Sequence, residues 1–243
     1  MDHLDFVAAL REQGTALRAS AALAGPDAHV PNCPEWTVKS LVHHVAGVYA
    51  FATAAVAGGD RDQAPERSTQ PEEWTALLAC FDDRFGALTE LLADTDPQTS
   101  AWTFPGAPRT VAFWSRRQAH ETSIHRLDAD SALTDDTPSL LFDTELAADG
   151  IDEFLSVLAP IFGRRKPSEV TGRVLYHAAD AGRSWEITLK AGEAPSTGPI
   201  TGSATDVDTT VAGTADALYR AVWGRPSTAV VTGDRSLLAG FAP

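Results

Sequence analysis

Cysteine is nearly absent. Of 243 residues only Cys33 and Cys80 carry a thiol, one in a proline-bounded stretch and one inside a helix-like pattern. That is too few, and too unlike a spaced framework, for structural disulfides, so both thiols are expected to be reduced. Basic residues are scarce, 19 against 33 acidic ones, for a formal charge of −14. No Lys/Arg cluster interrupts the excess, so a polyanion is repelled over most of the surface and nucleic acid is excluded as a natural partner. The N-terminus lacks an uninterrupted apolar run: MDHLDFVAALREQGTALRAS threads acids and arginines through its apolar positions. It has neither the core of a signal peptide nor the ~20 apolar residues of a membrane span, which points to a cytoplasmic protein with no membrane partner. Lysine is rare as well, at Lys39, Lys166 and Lys190 only, and with abundant Ala, Gly and Asp this bias points to a GC-rich genome. What is present is 44% hydrophobic residues, enough for a full core in one large domain or two small ones.

Apolar residues recur at helical spacing over residues 4–24, and Gly25-Pro26 stops that helix. Two prolines in VPNCPEW forbid regular helix, after which Thr37 offers an N-cap to a second helix reaching about residue 57. A polar, breaker-rich loop follows, and Pro71 opens a third periodic stretch to about residue 94. Thr110 can cap a fourth helix ending near residue 132, and a fifth candidate spans about 143–162, where Pro160 must bend or end it. Beyond GRRKPSE the period drops to two. VTGRVLYHA and SWEITLK read as a hairpin, followed by strand TTVAG, helix TADALYRAVWG, strand STAVVTG and a short helix DRSLLAGF. The pattern predicts two domains, a helical bundle over 1–163 and a small α+β unit over 168–243.

The fourth helix, TVAFWSRRQAHETSIHRLDAD, holds the most chemistry. Glu121 and His125 stand four apart, so they project from one face and can grip one ion, and Trp114 and Gln118 share that stripe. His120 turns toward Ile124 and is the weaker candidate. The H-E-x-x-H pattern of metalloproteases needs a histidine where this chain has Ile124, so that reading fails. A metal site needs at least a third ligand. In the second helix His44 falls on the apolar stripe of Leu41, Val45, Val48 and Ala52, while His43 turns toward Ser40 and Gly47. A set of two histidines and one glutamate follows: His44, Glu121 and His125. The plain alternative is a hydrogen-bonded pair with no ion, and spacing leaves both open.

Two segments carry a resemblance. CPEWTVKSLVHHVAG is similar to a C-P-G-W-T-V-x-D-L-x-x-H-L segment, and RRQAHETSIHRLDAD to an R-x-x-H-E-x-x-x-H-R-x-D segment, of the mycothiol-dependent maleylpyruvate isomerase family within the DinB-like superfamily. VAGTADALYRAVWGR and VTGD resemble that family's small second domain. The resemblance implies a DinB-like four-helix bundle with a divalent metal, usually zinc, on His44, Glu121 and His125. It also implies mycothiol, an actinobacterial thiol, as cosubstrate. Coordination to zinc deprotonates a thiol of pKa near ~8.5. Adding that sulfur to an activated alkene and expelling it after bond rotation isomerises the alkene, and leaving it in place makes an S-conjugate. Glu35 stands where the pattern has glycine and Ser40 where it has aspartate, which removes no ligand but can reshape the entrance.

Arg84 and Arg225 are candidates for binding substrate carboxylates. Cys33 tempts as a nucleophile, with loop packing the plainer role. Trp36 and Trp114 read as core or pocket wall. The leading expectation is therefore a metal-dependent isomerase or S-transferase acting on an electrophilic small molecule, as monomer or homodimer. Two alternatives remain at this level: a non-catalytic DinB-like binding protein, and a metal-dependent hydrolase or redox enzyme, since two histidines and a carboxylate also suit ferrous iron.

Overall fold

The computed structural model describes residues 1–59, 62–134, 140–198, 200 and 206–241. Four helices build the first compact unit, Met1–Leu140: α1 (His3–Ala24), α2 (Val38–Ala57), α3 (Trp74–Asp94) and α4 (Val111–Ser131). A capping box starts α1. Asp2 accepts from the Asp5 N–H at 3.0 Å while Asp5 accepts from the Asp2 N–H at 2.7 Å, so two otherwise orphaned donors are satisfied. Thr37 caps α2 as its sequence position suggests, accepting from the Ser40 N–H at 3.3 Å. Pro71 does not open α3. That helix begins at Trp74 because the Glu73 carboxylate accepts from the Thr75 and Ala76 N–H groups at 2.9 and 2.7 Å. Thr110 stands at the N-cap of α4 but makes no side-chain cap. The entry is set instead by backbone bridging of Ser100 to Thr110 and by the Val111 N–H donating to Thr99 O at 3.0 Å.

The core of this unit is a layer of fully buried side chains: Leu10 and Leu17 from α1, Leu41, Val45 and Tyr49 from α2, Leu77, Phe81 and Leu88 from α3, and Ile124 from α4. Among the described residues α2 alone is long and apolar enough to cross a bilayer, and here its apolar side chains face that core. The residues between α1 and α2 fold into a tight knot. The Val30 N–H donates to Trp36 O at 3.0 Å and the Trp36 N–H to Cys33 O at 2.7 Å, which delivers Trp36 to the start of α2.

The second unit is Leu141–Pro243. The fifth helix belongs to it, so the division falls some twenty residues earlier than the change of period placed it. Period reports local structure, whereas the boundary follows from what the helix packs on, and α5 (Thr144–Glu153) packs on α7 (Ala215–Val222). Before Pro160 the helix widens into a π segment, Phe154–Leu158, and continues as α6 (Ala159–Arg165). In an i→i+5 pattern the Leu155 carbonyl would face residue 160, but proline has no N–H to give. The Thr197 hydroxyl donates to that carbonyl instead, at 2.6 Å.

Five strands form one mixed sheet: β1 (Gly172–Ala178), β2 (Arg183–Leu189), β3 (Ser196–Gly198), β4 (Thr209–Gly213) and β5 (Val230–Gly233), in the order β3-β2-β1-β4-β5. β1 and β2 are the expected hairpin, β1 runs parallel to β4, and β4 is antiparallel to β5. Val174, Leu175 and Tyr176 are consecutively buried in β1, so both faces of the sheet centre are covered. Arg235–Phe241 forms the closing turn of 3₁₀ helix.

Two helical glycines give a stability test of the bundle. A Cβ on Gly14 of α1 would collide with the Phe85 ring, whereas one on Gly86 of α3 meets nothing within 4 Å. Gly14→Ala is expected to destabilise by about 1–3 kcal/mol through overpacking. Gly86→Ala should stabilise by about 0.5–1 kcal/mol by restricting the unfolded chain. Urea denaturation of the two variants checks the opposite signs.

Candidate functional site

α4 is an unusual helix: 16 of its 21 residues are buried, and Arg117, Gln118, His120, Thr122, Ser123, His125 and Asp128 are among them. Buried polar groups need partners. Thr122 bonds the Tyr49 hydroxyl at 2.9 Å, Ser123 donates to Ala119 O at 2.7 Å, and the His120 ring meets the Phe6 ring edge-on at 5.8 Å. These are packing roles, and His120 stays with them. The remaining polar groups gather around Glu121.

His44 on α2 and His125 on α4 both turn a nitrogen toward one carboxylate oxygen. Their Nε2 atoms stand 3.0 and 3.3 Å from Glu121 Oε1, and the ligand atoms of His44, Glu121 and His125 all lie within 4.8 Å of one another. The other oxygen, Glu121 Oε2, accepts from Arg117 at 2.7 Å. Behind His125, Nδ1 stands 3.0 Å from Asp128 Oδ2, and Asp128 is fully buried. With Nδ1–H donated to Asp128, Nε2 is the nitrogen turned to Glu121, and it becomes free to ligate an ion once its own proton is lost. The Trp36 ring packs on both histidines, with centroids 5.0 Å from His44 and 5.8 Å from His125, and limits their rotation.

The donor set suits a divalent transition metal: two imidazole nitrogens and one carboxylate oxygen converge, a second carboxylate orients a ligand histidine from behind, and one side is open. That open side is a cavity of about 780 Å³, lined by the aromatic side chains Trp36, Phe51, Phe104 and Trp114, by the basic residues Lys39, Arg67 and Arg117, and by Gln118, Glu121 and His44. The His44 side chain is 37% exposed against 10% for His125, so access to the cluster is from the α2 side.

Burial opposes the charge on Glu121, but hydrogen bonds from His125 and His44 and the Arg117 guanidinium outweigh it and hold the carboxyl well below the usual range. Burial likewise opposes a charged His125, yet its hydrogen bonds to Asp128 and Glu121 push it up to about 9.

The three residues that sequence spacing placed together are together in the structure. Sequence spacing alone assigns Arg117 and Asp128 no role, although their positions, i−4 from Glu121 and i+3 from His125, put them in reach. Arg84 is directed elsewhere: it donates to Ala46 O at 3.2 Å and Thr69 O at 2.9 Å, tying α2 to the stretch before α3, and it does not line the cavity. Arg225 lies in the second unit and donates to Trp223 O at 2.8 Å. Cys33 does not line the cavity either; its S–H points at Asp128 Oδ2, 3.6 Å away.

The family model described as the mycothiol maleylpyruvate isomerase N-terminal domain matches residues 7–130, and that described as the MDMPI C-terminal domain matches residues 145–240. The crystal structure of the mycothiol-dependent maleylpyruvate isomerase superposes with a TM-score of 0.62 at 13% identity, over 100% of this chain and 95% of that one. A variant of that isomerase with one histidine changed to alanine gives 0.62 at 11% identity with the same coverage. At these identities the likeness is one of fold. No protein with a curated description matches the sequence.

The raised His125 value sets a pH dependence for metal-free protein. A histidine protonated more tightly in the folded than in the unfolded chain contributes stability that is complete below about 6.5 and is lost as pH rises through about 9. Glu121 acts in the opposite sense, its contribution vanishing as pH falls below the ordinary carboxylate range. Thermal melts in chelator should therefore show stability declining from pH 6.5 to 9. Asp128→Asn should flatten that decline, and an unchanged slope would refute the assignment.

Proposed function

The chain belongs to the mycothiol maleylpyruvate isomerase family through both of its domains, and from that membership we propose a thiol-dependent isomerase whose cluster of His44, Glu121 and His125 holds a divalent metal, with zinc the best-suited ion. The observation that carries the metal reading is the convergence of the three ligand atoms, two of whose residues, His44 and Glu121, line an open cavity. When bound, such an ion acidifies a thiol with a free pKa near ~8.5 into a nucleophile at neutral pH.

The chain's own residues prepare the site. Asp128 fixes the tautomer of His125, so its Nε2 is the available donor. Arg117 holds Glu121 Oε2, leaving Oε1 turned toward both histidines. Trp36 packs on the two imidazoles and restricts their rotation, and aromatic side chains line part of the cavity beside them. An electrophile carrying an alkene conjugated to a carbonyl would lie along those side chains. Addition of the thiolate turns the double bond into a single bond, rotation follows, and expulsion of the same sulfur restores the alkene with inverted geometry. No thiol is consumed. Mycothiol, named for the related isomerase, is the cosubstrate proposed here.

Thiol dependence is the decisive test. Turnover should require both a divalent metal and mycothiol or a close mimic, with catalytic rather than stoichiometric thiol. Stoichiometric loss of thiol would indicate an S-transferase, and turnover with water alone a hydrolase. Metal binding has its own signature, read by competition with a chromophoric chelator. His44→Ala or His125→Ala should abolish it, and Asp128→Ala should weaken it by about 10–100-fold. Affinity should climb with pH toward about 9, because binding must displace the His125 proton.

A further inference from the structure

Gln118 occupies the same stripe of α4 as Trp114, Glu121 and His125, and it lines the cavity between Trp114 and Glu121. Its side chain is only 1% exposed, yet its amide oxygen finds no hydrogen-bond partner among the described residues. The neighbouring polar groups each bond the cluster: Arg117, His44 and His125 meet the Glu121 carboxylate, and Asp128 meets His125. Leaving a buried amide unpaired costs about 1–3 kcal/mol. An apolar side chain of similar shape would pack in this wall without that cost.

We infer that Gln118 is a specificity-determining residue of the cavity, reading a neutral hydrogen-bonding group, a hydroxyl or a carboxamide, on a flat conjugated electrophile. The word electrophile rests on the proposed thiol chemistry; the subsite itself does not. Three observations define the class. First, a glutamine amide presents a donor or an acceptor according to a half-turn of its terminal group, so it matches a group of either sense. Second, the amide carries no charge and the adjacent Arg117 is already bonded to Glu121 at 2.7 Å. Of the other basic residues lining the cavity, Lys39 is paired with Glu72 at 3.0 Å and Arg67 is exposed, so a carboxylate pressed against the buried amide would exchange water for a neutral partner. Third, the wall beside Gln118 is aromatic. Phe51 meets Trp114 edge-on at 6.1 Å, and the Phe104 and Trp114 centroids stand 5.7 Å apart, which favours a flat apolar body over a compact polar one.

The inference is tested by binding, independently of turnover. Quenching of tryptophan fluorescence, with Trp36 and Trp114 in the cavity wall, is measured for benzylideneacetone, its para-hydroxy derivative and its para-carboxylate derivative. Wild-type protein should bind the hydroxylated probe roughly tenfold more tightly than either of the others, as one buried hydrogen bond implies. Gln118→Met and Gln118→Leu should reduce that preference to within about twofold while leaving the affinity for the unsubstituted probe unchanged. Equal binding of the three probes by wild type, tightest binding of the carboxylate, no binding of any, or a preference that survives Gln118→Met would each overturn the inference. Thiol-dependent turnover is scored separately on the same probes. A preference without turnover retains the subsite and counts against the proposed chemistry, and turnover without a preference does the reverse.

Discussion

A carboxylate enclosed in a helical bundle is unstable unless donors and positive charge surround it, because water that would solvate it has been removed. Glu121 meets that requirement on both oxygens, with Arg117 on one and the two histidines on the other. The arrangement of α4 follows from it. Arg117 is one turn before Glu121 and His125 one turn after, and His125 is in turn backed by Asp128 a turn further on. Four polar residues on one helix are therefore mutually dependent, and removing any of them leaves another buried without its partner.

That dependence explains why so polar a helix can be central. α1 packs along α4 and supplies apolar cover through Phe6, Leu10 and Leu17, while Gln13 accepts from Arg126 at 2.9 Å and His3 bonds Ser115 at 2.9 Å. α2 contributes differently, since its apolar stripe drives packing and His44 stands at the edge of that stripe, where one side meets the core and the other the cavity. The same helix thereby provides both cohesion and a histidine that remains accessible. The knot of residues before α2 places Trp36 over the two imidazoles, so local backbone hydrogen bonding reaches directly into the geometry of the site.

The second unit illustrates another balance between local and distant forces. Pro160 interrupts a helical hydrogen-bond pattern, and the helix survives by widening over Phe154–Leu158 while a strand hydroxyl, Thr197, takes the carbonyl left over. No period in the residues around 143–162 contains that answer, because the compensating donor is some forty residues away. The same reason lies behind the shifted domain boundary: α5 has the apolar spacing of a bundle helix but packs on α7.

By itself the sequence determined the four bundle helices, the switch to strands after them, and the placing of Glu121 with His125 on one face of α4 and of His44 on the apolar stripe of α2, because helical spacing dictates which side chains share a face. The family motifs were equally legible, being contiguous. Tertiary structure alone decided the rest. It turned Arg84 toward the Ala46 and Thr69 carbonyls and away from the cavity lining, set Arg117 and Asp128 on the two sides of the cluster, and left the Gln118 amide oxygen without a partner among the described residues. Spacing along a helix fixes direction from the axis, but whether a guanidinium, carboxylate or amide meets a partner depends on atoms that folding brings from other elements, and hydrogen bonds act only over about 3 Å.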